Sequence, residues 1–295
     1  MNIESLKMFC LVVEEGTISQ AARKSYVSQP AVTRQIHLLE DKYGTLLFER
    51  TEGILKTTEA GKVLYPFAKT ILESIEHSLE YVQASMGDYH INLRIGGTLT
   101  IGEYLLPKLL GQFKKEFPEV KLILEIGNTP TILEKLMKNE IDLALIEGVV
   151  KSDKLHVEKF TGDELILVCS ADHPWKNENE VSIGALANEH LIWREPTSGT
   201  RMIIERALES SGMLNKIESY MELGSTQAIK NAVEAGLGIS ILSKMTVVRE
   251  LEYGTLKKVE ITGINLKRDL WLVRKPYRFR RIGVDKLVKF IRDNV

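Results

Sequence analysis

Residues 17–40 read TISQAARKSYVSQPAVTRQIHLLE and decide the fold of the N-terminal part of the chain. Thr17 and Gln20 form a capping box, because the Thr17 hydroxyl can accept from the Gln20 amide while the Gln20 side chain reaches back. A short helix therefore begins here. Ser28 begins the next helix, since Pro30 lies in the first turn, where proline loses no intrahelical hydrogen bond. Two helices joined by a tight turn predict a helix-turn-helix.

The helix that begins at Ser28 has two distinct faces. Its apolar face consists of Val32, Ile36 and Leu39, and the opposite face of Pro30, Thr33, Arg34 and His37. DNA recognition requires a helix whose N-terminal turn projects polar side chains into the major groove. Gln29 can pair bidentately with adenine, Arg34 with guanine or a phosphate, and Thr33 is short enough for a base edge. Ser28 and Thr17, at helix N-termini, suit backbone phosphates. Periodicity alone supports an ordinary three-helix module with a solvated face equally well.

The segments around residues 17–40 complete an N-terminal domain. Residues 3–15 predict a helix that ends at Gly16, and residues 49–58 predict a short hairpin or wing. A long helix from about Thr58 to Met86 carries an apolar seam of Val63, Leu64, Phe67, Ile71, Ile75, Leu79 and Val82. Such a seam is best buried against a twin helix in a dimer, with packing on the same chain as the alternative.

After Gly87, strand-like and helical segments alternate. The predicted strands are 91–96, 120–126, 141–146, 165–170, 191–193, 219–223, 238–242 and 270–273, and the predicted helices lie near 105–117 and 131–139 and begin at Thr200 and Ser225. This alternation predicts an α/β domain with a parallel sheet and crossover helices. About 200 residues exceed the needs of one compact sheet, so we expect two similar lobes.

Composition and charge narrow the class of protein. The chain has 295 residues, of which 44% are hydrophobic, so it can form the hydrophobic cores of folded domains. The net charge of -1 argues weakly against nucleic acid unless basic residues are clustered. Two isolated cysteines, Cys10 and Cys169, suggest neither a disulfide framework nor a metal site. The N-terminus does not resemble a secretory signal and no apolar stretch approaches about 20 residues, so we expect a cytoplasmic location without membrane contact.

Helix N-termini in the α/β part form a candidate anion site. Residues 96–102 (GGTLTIG) and 195–201 (EPTSGTR) each follow a predicted strand and open a helix, where free backbone amides and the positive end of a dipole favour an anion. A third strand is followed by Asn128 and Thr129, and ligands of open α/β sheets bind beyond such strand ends. The candidate residues are Thr98, Thr100, Asn128, Thr129, Ser198 and Thr200. As an alternative, the hydroxyls simply cap helices.

No motif indicates catalysis, a metal or a cofactor. The sequence has no Gly-x-Ser-x-Gly elbow, P-loop or His-Glu-x-x-His, and residues 236–240 (GLGIS) favour a helix end and tight turn over a dinucleotide fingerprint. Cys169 lies in an apolar strand and is better explained as inert core than as a redox sensor. Residues 267–295 are strongly basic. A solvated face is the simplest interpretation of that stretch, with a border to DNA or a subunit contact as alternatives.

Residues 17–61 resemble the signature of the LysR-type transcriptional regulators. The resemblance rests on residues 17–40, Gly44, residues 47–50 (LFER) and residues 55–61 (LKTTEAG). Thr33 stands where serine is common in the family. The chain length and the alternating C-terminal part fit the same family, so the resemblance spans nearly the whole chain.

The resemblance implies three parts. These are a winged helix-turn-helix in residues 1–58, a dimerising linker helix in 59–88 and a periplasmic-binding-protein-like effector domain in 89–295. We place lobe 1 of that domain in about 91–161 and 268–295, and lobe 2 in about 162–267. The family pattern implies that Gln29, Pro30, Thr33 and Arg34 face DNA and that Arg50 lies at the minor groove. Arg23 and Lys56 add basic charge to the same surface.

The expected function is a transcriptional regulator rather than an enzyme. It binds double-stranded operator DNA as a homodimer or homotetramer, with RNA polymerase as a candidate partner, and senses a small anionic metabolite between its lobes. The resemblance favours a sulfate-like anion or a small carboxylate. Because residues 1–60 are not net basic, DNA binding must rest on a focused patch of Arg23, Lys24, Arg34 and Arg50 and should weaken steeply with salt. The alternatives are a cytosolic solute-binding protein and an enzyme that uses the anion site.

Overall fold

The computed structural model describes residues 2–51, 53–85, 91–148, 150, 152–217, 219–276 and 281–295. Contacts within it divide the chain into two compact units, Met1–Tyr89 and His90–Val295. Within the described ranges, every helix is too short or too polar to cross a membrane.

The first unit consists of four helices and a two-stranded hairpin. The elements are α1 (Ile3–Glu15), α2 (Ile18–Lys24), α3 (Gln29–Tyr43), β1 (Phe48–Thr51), β2 (Ile54–Thr57) and α4 (Glu59–Ser85). Their common core includes Phe9, which is fully buried and packs on Phe48 with ring centroids 5.5 Å apart. The predicted helix-turn-helix and its wing are therefore confirmed.

Local signals set the ends of the short helices. Gly16 ends α1 in the left-handed conformation with φ of 72°, and Thr17 caps α2 by accepting from the Gln20 backbone N–H at 3.2 Å. The capping box differs from the prediction, because the Gln20 side chain accepts from the Thr17 hydroxyl at 3.0 Å. Ser28 precedes α3 without a side-chain capping bond, so Pro30 in the first turn is the stronger start signal.

Helix α4 buries only the N-terminal part of its apolar seam. Side chains that are buried or half-buried there pack on the core that contains α1; they are Leu64, Ala68, Ile71 and Leu72. Val63 and Phe67 are exposed on the neighbouring face of the same turns, whereas Leu79 and Val82 continue the buried stripe at helical spacing and are exposed. Packing on the same chain thus accounts for the N-terminal part of the seam and leaves its C-terminal part exposed. Met86, the predicted end of the helix, lies outside the described residues.

The second unit is an α/β domain. Its strands are β3 (Asn92–Thr98), β4 (Lys121–Gly127), β5 (Leu143–Ile146), β6 (His156–Ser170), β7 (Glu180–Ser182), β8 (Leu191–Arg194), β9 (Ser219–Leu223), β10 (Ser240–Ser243), β11 (Leu256–Thr262) and β12 (Lys267–Arg274). Its α-helices are α5 (Leu106–Glu116), α6 (Thr129–Met137), α7 (Gly199–Ser210), α8 (Thr226–Glu234), α9 (Val248–Tyr253) and α10 (Ile282–Asn294). A π-helical turn, Ile101–Leu105, precedes α5, and short 3-10 turns fill several connections.

The sheet is mixed rather than parallel. Its order is β4-β3-β5-β12-β6-β11-β7, with β10 also paired to β6, while β8 and β9 form a separate pair. β3 runs parallel to β4 and β5, and β8 to β9, as predicted. However, β12 runs antiparallel to both β5 and β6, so the prediction of a parallel sheet is wrong there. Hydrophobic alternation identifies a strand without revealing its direction, which explains the error.

Strand β6 pairs with strands on both sides of the boundary between the lobes. Only residues 165–170 of β6 are predicted from the sequence, because the half before them carries charged side chains. Residues 156–164 pair with β12, and residues 165–170 pair with β10 and β11. Lobe 1 contains β3–β5, α5, α6 and α10, and lobe 2 contains β7–β11 and α7–α9. The long strands β6 and β12 join them.

The basic C-terminal stretch is largely tied into the fold. The ties are Arg268 with Asp163, Arg281 with Asp142, Arg292 with Glu158, and Lys275 with the Met137 carbonyl. The solvated-face interpretation is wrong for Arg268 and Arg281, whose side chains are 2% and 15% exposed, because composition cannot show partners that lie far away in the sequence. The Arg292 side chain is 52% exposed, so its ion pair lies at the surface. Arg278 and Arg280 lie outside the described residues.

Candidate nucleic-acid interface and inter-lobe cleft

Helix α3 presents a polar face outward because its apolar face is held in the core. Val32 is 0% exposed and Leu39 is 1% exposed. On the opposite side, Gln29 and Arg34 are exposed and Thr33 is half-buried. A shallow groove along this side is lined by Gln29, Pro30, Thr33, Arg34, His37, Leu38 and Asp41. The first turn of α3 can therefore reach a partner surface without any change in the domain core.

The other predicted DNA-binding residues lie at the edges of this face or in the hairpin. Ser28 and Arg23 are exposed, and the Arg23 guanidinium donates to the Ser19 carbonyl within α2 at 3.4 Å. In the hairpin, Arg50 is opposite Leu55 and Lys56 is opposite Glu49, so the two basic side chains lie on opposite faces. The two basic charges therefore flank the hairpin on different sides.

An acidic residue weakens the predicted basic patch. Lys24 forms an ion pair with Glu15 at 2.5 Å, so part of its charge is already balanced.

A buried carboxylate positions the hairpin. Glu40, which the sequence does not single out, is buried at the C-terminal part of α3. Its Oε1 accepts from the backbone N–H groups of Leu47 at 2.8 Å and Phe48 at 3.3 Å. Glu40 thereby fixes the start of the hairpin relative to α3.

The second unit brings four of the six predicted effector-binding residues to one cleft between its lobes. The cleft is lined by Thr98, Leu99, Gly127, Asn128, Thr129, Glu147, Arg194, Ser198 and Gly199. Lobe 1 contributes the ends of β3, β4 and β5, and lobe 2 contributes the end of β8 and the N-terminus of α7. The carboxyl ends of strands from both lobes thus face the first turn of a helix, an arrangement that suits a small ligand.

The remaining two predicted residues, Thr100 and Thr200, are placed differently. Thr100 is 2% exposed, makes no capping bond to the following helical turn and does not line the cleft. Thr200, in the first turn of α7, accepts from the Arg268 guanidinium at 2.9 Å. Arg268 in turn binds Asp163 at 2.6 Å, and both side chains are almost fully buried. Thr200 therefore belongs to a buried ion-pair cluster that ties α7 to β12.

The glycines of residues 96–102 lie in close packing contacts. A Cβ at Gly96 would lie 2.9 Å from Ile132 Cγ2 of α6, and one at Gly97 would lie 2.8 Å from Leu106 Cδ1 of α5 and 3.0 Å from the Gly102 Cα. Small residues here let α5 and α6 approach the sheet closely. They therefore do not by themselves indicate a phosphate-type loop.

Helix caps and contacts between the lobes shape the cleft. The Ser198 hydroxyl caps α7 by accepting from the Arg201 N–H at 3.4 Å. The Asn128 side chain caps α6 by accepting from the Thr131 N–H at 3.0 Å. Its amide also donates to Thr197 at 3.2 Å, which links the two lobes. The lobes lie close together at this point, so the cleft is narrow.

Sequence reasoning misses the charged residues of the cleft. Glu147 directly follows β5 and Arg194 ends β8, and both are at most 5% exposed. The signal available in the sequence is a single charged residue directly after an apolar strand. Arg194 is balanced by Glu195, with nitrogen-to-oxygen distances of 2.8 and 2.9 Å, and also donates to Thr226 at 3.1 Å.

Both cysteines are expected to be unreactive in the folded chain. Burial raises the pKa of the Cys10 thiol to about 12 and that of the Cys169 thiol to about 11. Because the thiolate is the reactive form, labelling with a chromogenic disulfide reagent at pH 8 should be negligible. Both thiols should react after unfolding in urea, which provides the control. Rapid labelling of one thiol in the native chain would contradict the prediction.

The fold and its two surfaces define a class of protein, a DNA-binding regulator with an attached two-lobed ligand domain. A family model described as "Bacterial regulatory helix-turn-helix protein, lysR family" matches residues 3–62, and a "LysR substrate binding domain" model matches residues 90–295. The chain belongs to the LysR family of transcriptional regulators. It is therefore a regulator and not an enzyme.

Named proteins are similar over 68% to 99% of the chain. The HTH-type transcriptional regulator CysL of Bacillus subtilis (strain 168) is 35% identical over 276 residues, which cover 94% of this chain and 92% of CysL. A full-length OxyR variant from Pseudomonas aeruginosa shares the fold, with a TM-score of 0.76, 24% identity and coverage of 99% of this chain and 95% of that chain. The regulatory domain of Synechocystis PCC6803 CcmR, solved in complex with 2-PG, has a TM-score of 0.63 and 27% identity, and covers 68% of this chain and 96% of that domain.

Proposed function

We propose that α3 enters the major groove of an operator and that its first turn reads the base sequence. Gln29 and Arg34 contact bases, Thr33 contacts a base edge, and Pro30 packs against the groove. The proposed backbone contacts are Thr17, Arg23, Ser28, Arg50 and Lys56. The outward polar face of α3, opposite a fully buried apolar face, carries the proposal. A gel-shift titration of the full chain on the duplex upstream of its own gene tests it.

We further propose that the chain acts as a homodimer or homotetramer in which α4 pairs with its twin. Val63 and Phe67 are exposed beside the buried face of α4, and Leu79 and Val82 are exposed further along its apolar stripe. An apolar stripe on a long helix is most stable when a second helix covers it. A dimer also presents two recognition helices to a two-fold symmetric operator.

The inter-lobe cleft is the proposed effector site. A small acid would place its anionic group at the N-terminus of α7, where Ser198 and the positive end of the helix dipole favour it. The hydroxyls of Thr98 and Thr129 are buried without a hydrogen-bond partner among the described residues, so they are available to the same ligand. The Synechocystis CcmR domain was solved with a small molecule, 2-PG, which supports a ligand-binding role for this type of domain.

Regulation follows from the narrow cleft. A ligand shifts an equilibrium only through its different affinity for two arrangements. Because the Asn128 amide donates to Thr197 across the narrow cleft, a ligand that separates these two groups is expected to favour a more open arrangement of the lobes. The change in lobe arrangement would then alter DNA binding or transcription.

Ser198→Ala and Ser225→Ala are expected to separate effector binding from helix capping. Both serines cap a helix by accepting a backbone N–H at 3.4 Å, but only Ser198 lines the cleft. Each variant should lose about 1 kcal/mol of stability. Only Ser198→Ala should weaken effector binding, by about tenfold, because it loses a hydrogen bond to a charged group. The measurement is calorimetric titration with the acid selected by a thermal-shift screen, and equal affinities of the two variants would contradict the site.

A further inference from the structure

The cleft contains a buried carboxylate that has no cationic partner. Glu147 is 4% exposed, and its Oε1 has no hydrogen-bond partner among the described residues. No ion pair joins Glu147 to a basic residue within the described ranges. A buried charge is costly unless it is paired, and a buried polar atom without a partner calls for a specific explanation. A donor supplied by the effector would provide that explanation.

The Glu147 carboxylate lies next to the proposed anion-binding turn. A Cβ built on Gly199, the first residue of α7, would lie 3.4 Å from Glu147 Oε2 and 3.4 Å from Thr129 Oγ1. Glu147 belongs to lobe 1 and Gly199 to lobe 2. A ligand whose acid group sits on α7 would therefore have another part of its structure against Glu147.

The two arginines near the cleft do not supply free positive charge. Arg194 is balanced by Glu195 at 2.8 Å, and Arg268 is balanced by Asp163 at 2.6 Å. Together with Glu147, these groups carry one more negative than positive charge. A bare inorganic anion entering this space would meet an uncompensated carboxylate. The charge balance instead favours a ligand that brings a cation with its acid group.

We propose that the effector is a small amino acid or a close derivative, whose ammonium group binds Glu147 while its carboxylate binds the N-terminal turn of α7. This assignment rests on the proposed function of the cleft as effector site. It makes Glu147 the residue that selects amino acids over sulfate-like anions and over carboxylates without a donor. The ammonium supplies both the hydrogen bond and the positive charge that the carboxylate lacks.

The test uses matched ligands on the full chain. Calorimetric titrations would compare alanine, lactate and propionate, then aspartate, malate and succinate, and finally sulfate and phosphate. Within each organic set the carboxylate framework is kept while an ammonium, a hydroxyl or a hydrogen occupies the neighbouring carbon. At least one amino acid should bind about tenfold or more tightly than its two analogues. Glu147→Gln should remove that preference, whereas Glu134→Gln, which changes an exposed carboxylate of lobe 1, should preserve it.

Each alternative outcome is decisive. Binding of sulfate, phosphate or a hydroxy acid as tight as that of the matching amino acid would overturn the inference, as would a panel in which no amino acid binds. A Glu147→Gln chain that keeps the preference would do so as well. If Ser198→Ala weakens binding and Glu147→Gln does not, the cleft stands and only the amino-acid assignment fails. If neither variant changes binding, the effector site itself is wrong. Should Glu147→Gln fail to fold, the ligand series on the unmodified chain still decides the question.

Discussion

Arg34→Ala is expected to lower the affinity of the full chain for its operator by about 10- to 100-fold. A bidentate contact from arginine to guanine contributes about 1–3 kcal/mol of discrimination, and the exposed position of Arg34 on α3 suits such a contact. Because the apolar face of α3 is unchanged, the melting temperature should stay the same. Fluorescence anisotropy with a labelled operator duplex, repeated at several salt concentrations, measures the effect.

The salt dependence identifies the kind of contact that Arg34 makes. Operator affinity of the unmodified chain should fall steeply with salt, since phosphate contacts release counterions. If Arg34 binds a phosphate, Arg34→Ala would reduce the logarithmic salt slope by about one, whereas if it binds a base, the variant would relax specificity at one base pair. Gln29→Ala should relax specificity and leave the slope unchanged.

The control is Arg206→Ala, which removes an exposed arginine from α7 in the second unit. An Arg34→Ala chain that binds as tightly as the unmodified chain would refute the proposed role of α3.

Arg268→Met is expected to lower the free energy of unfolding by about 3–5 kcal/mol, because it leaves a buried Asp163 carboxylate without its cation. The Arg268 and Asp163 side chains are 2% and 3% exposed, and their nitrogen-to-oxygen distance is 2.6 Å. Ser243 donates to the same carboxylate at 2.9 Å, but a neutral hydroxyl cannot replace the guanidinium. Chemical denaturation of the full chain measures the loss.

A neighbouring exposed pair provides the matched control. Lys159 and Asp269 join the same two strands, β6 and β12, at 2.6 Å, with side chains that are 55% and 44% exposed. Asp269→Asn should cost only about 0–1 kcal/mol, because solvent screens exposed ion pairs. The double variant Arg268→Met with Asp163→Leu should recover much of the lost stability, since the unpaired charge is gone. Equal losses in Arg268→Met and Asp269→Asn would show that burial does not govern these pairs.

The first unit could be predicted closely because its signals are local. The ends of α1 and α2 follow from Gly16 and Thr17, which act on backbone groups within a few residues. The face of α3 follows from the spacing of its apolar residues. Glu40 escapes prediction because its partners, the N–H groups of Leu47 and Phe48, are brought together only by the fold.

The position of the cleft could be predicted from the sequence, but the burial of its charged residues could not. Serine, threonine and asparagine after apolar strands mark helix starts, so Ser198 and Asn128 stand out in the sequence. Burial of Glu147, by contrast, depends on how β5 lies between β3 and β12, which no local pattern shows. Arg268 looks like one of many basic residues near the C-terminus, and only the antiparallel pairing of β12 with β6 places it opposite Asp163.

The shared strands also limit how the ligand domain can move. β6 and β12 pair continuously from Glu164 and Lys267 to Thr161 and Leu270, where the register shifts. A two-stranded ribbon twists more easily than it stretches or separates, because separation breaks its ladder of backbone hydrogen bonds. Binding of a ligand in the cleft is therefore expected to rotate one lobe slightly relative to the other, about the ribbon formed by β6 and β12. Such a rotation changes angles at the outer ends of the lobes while leaving their cores intact.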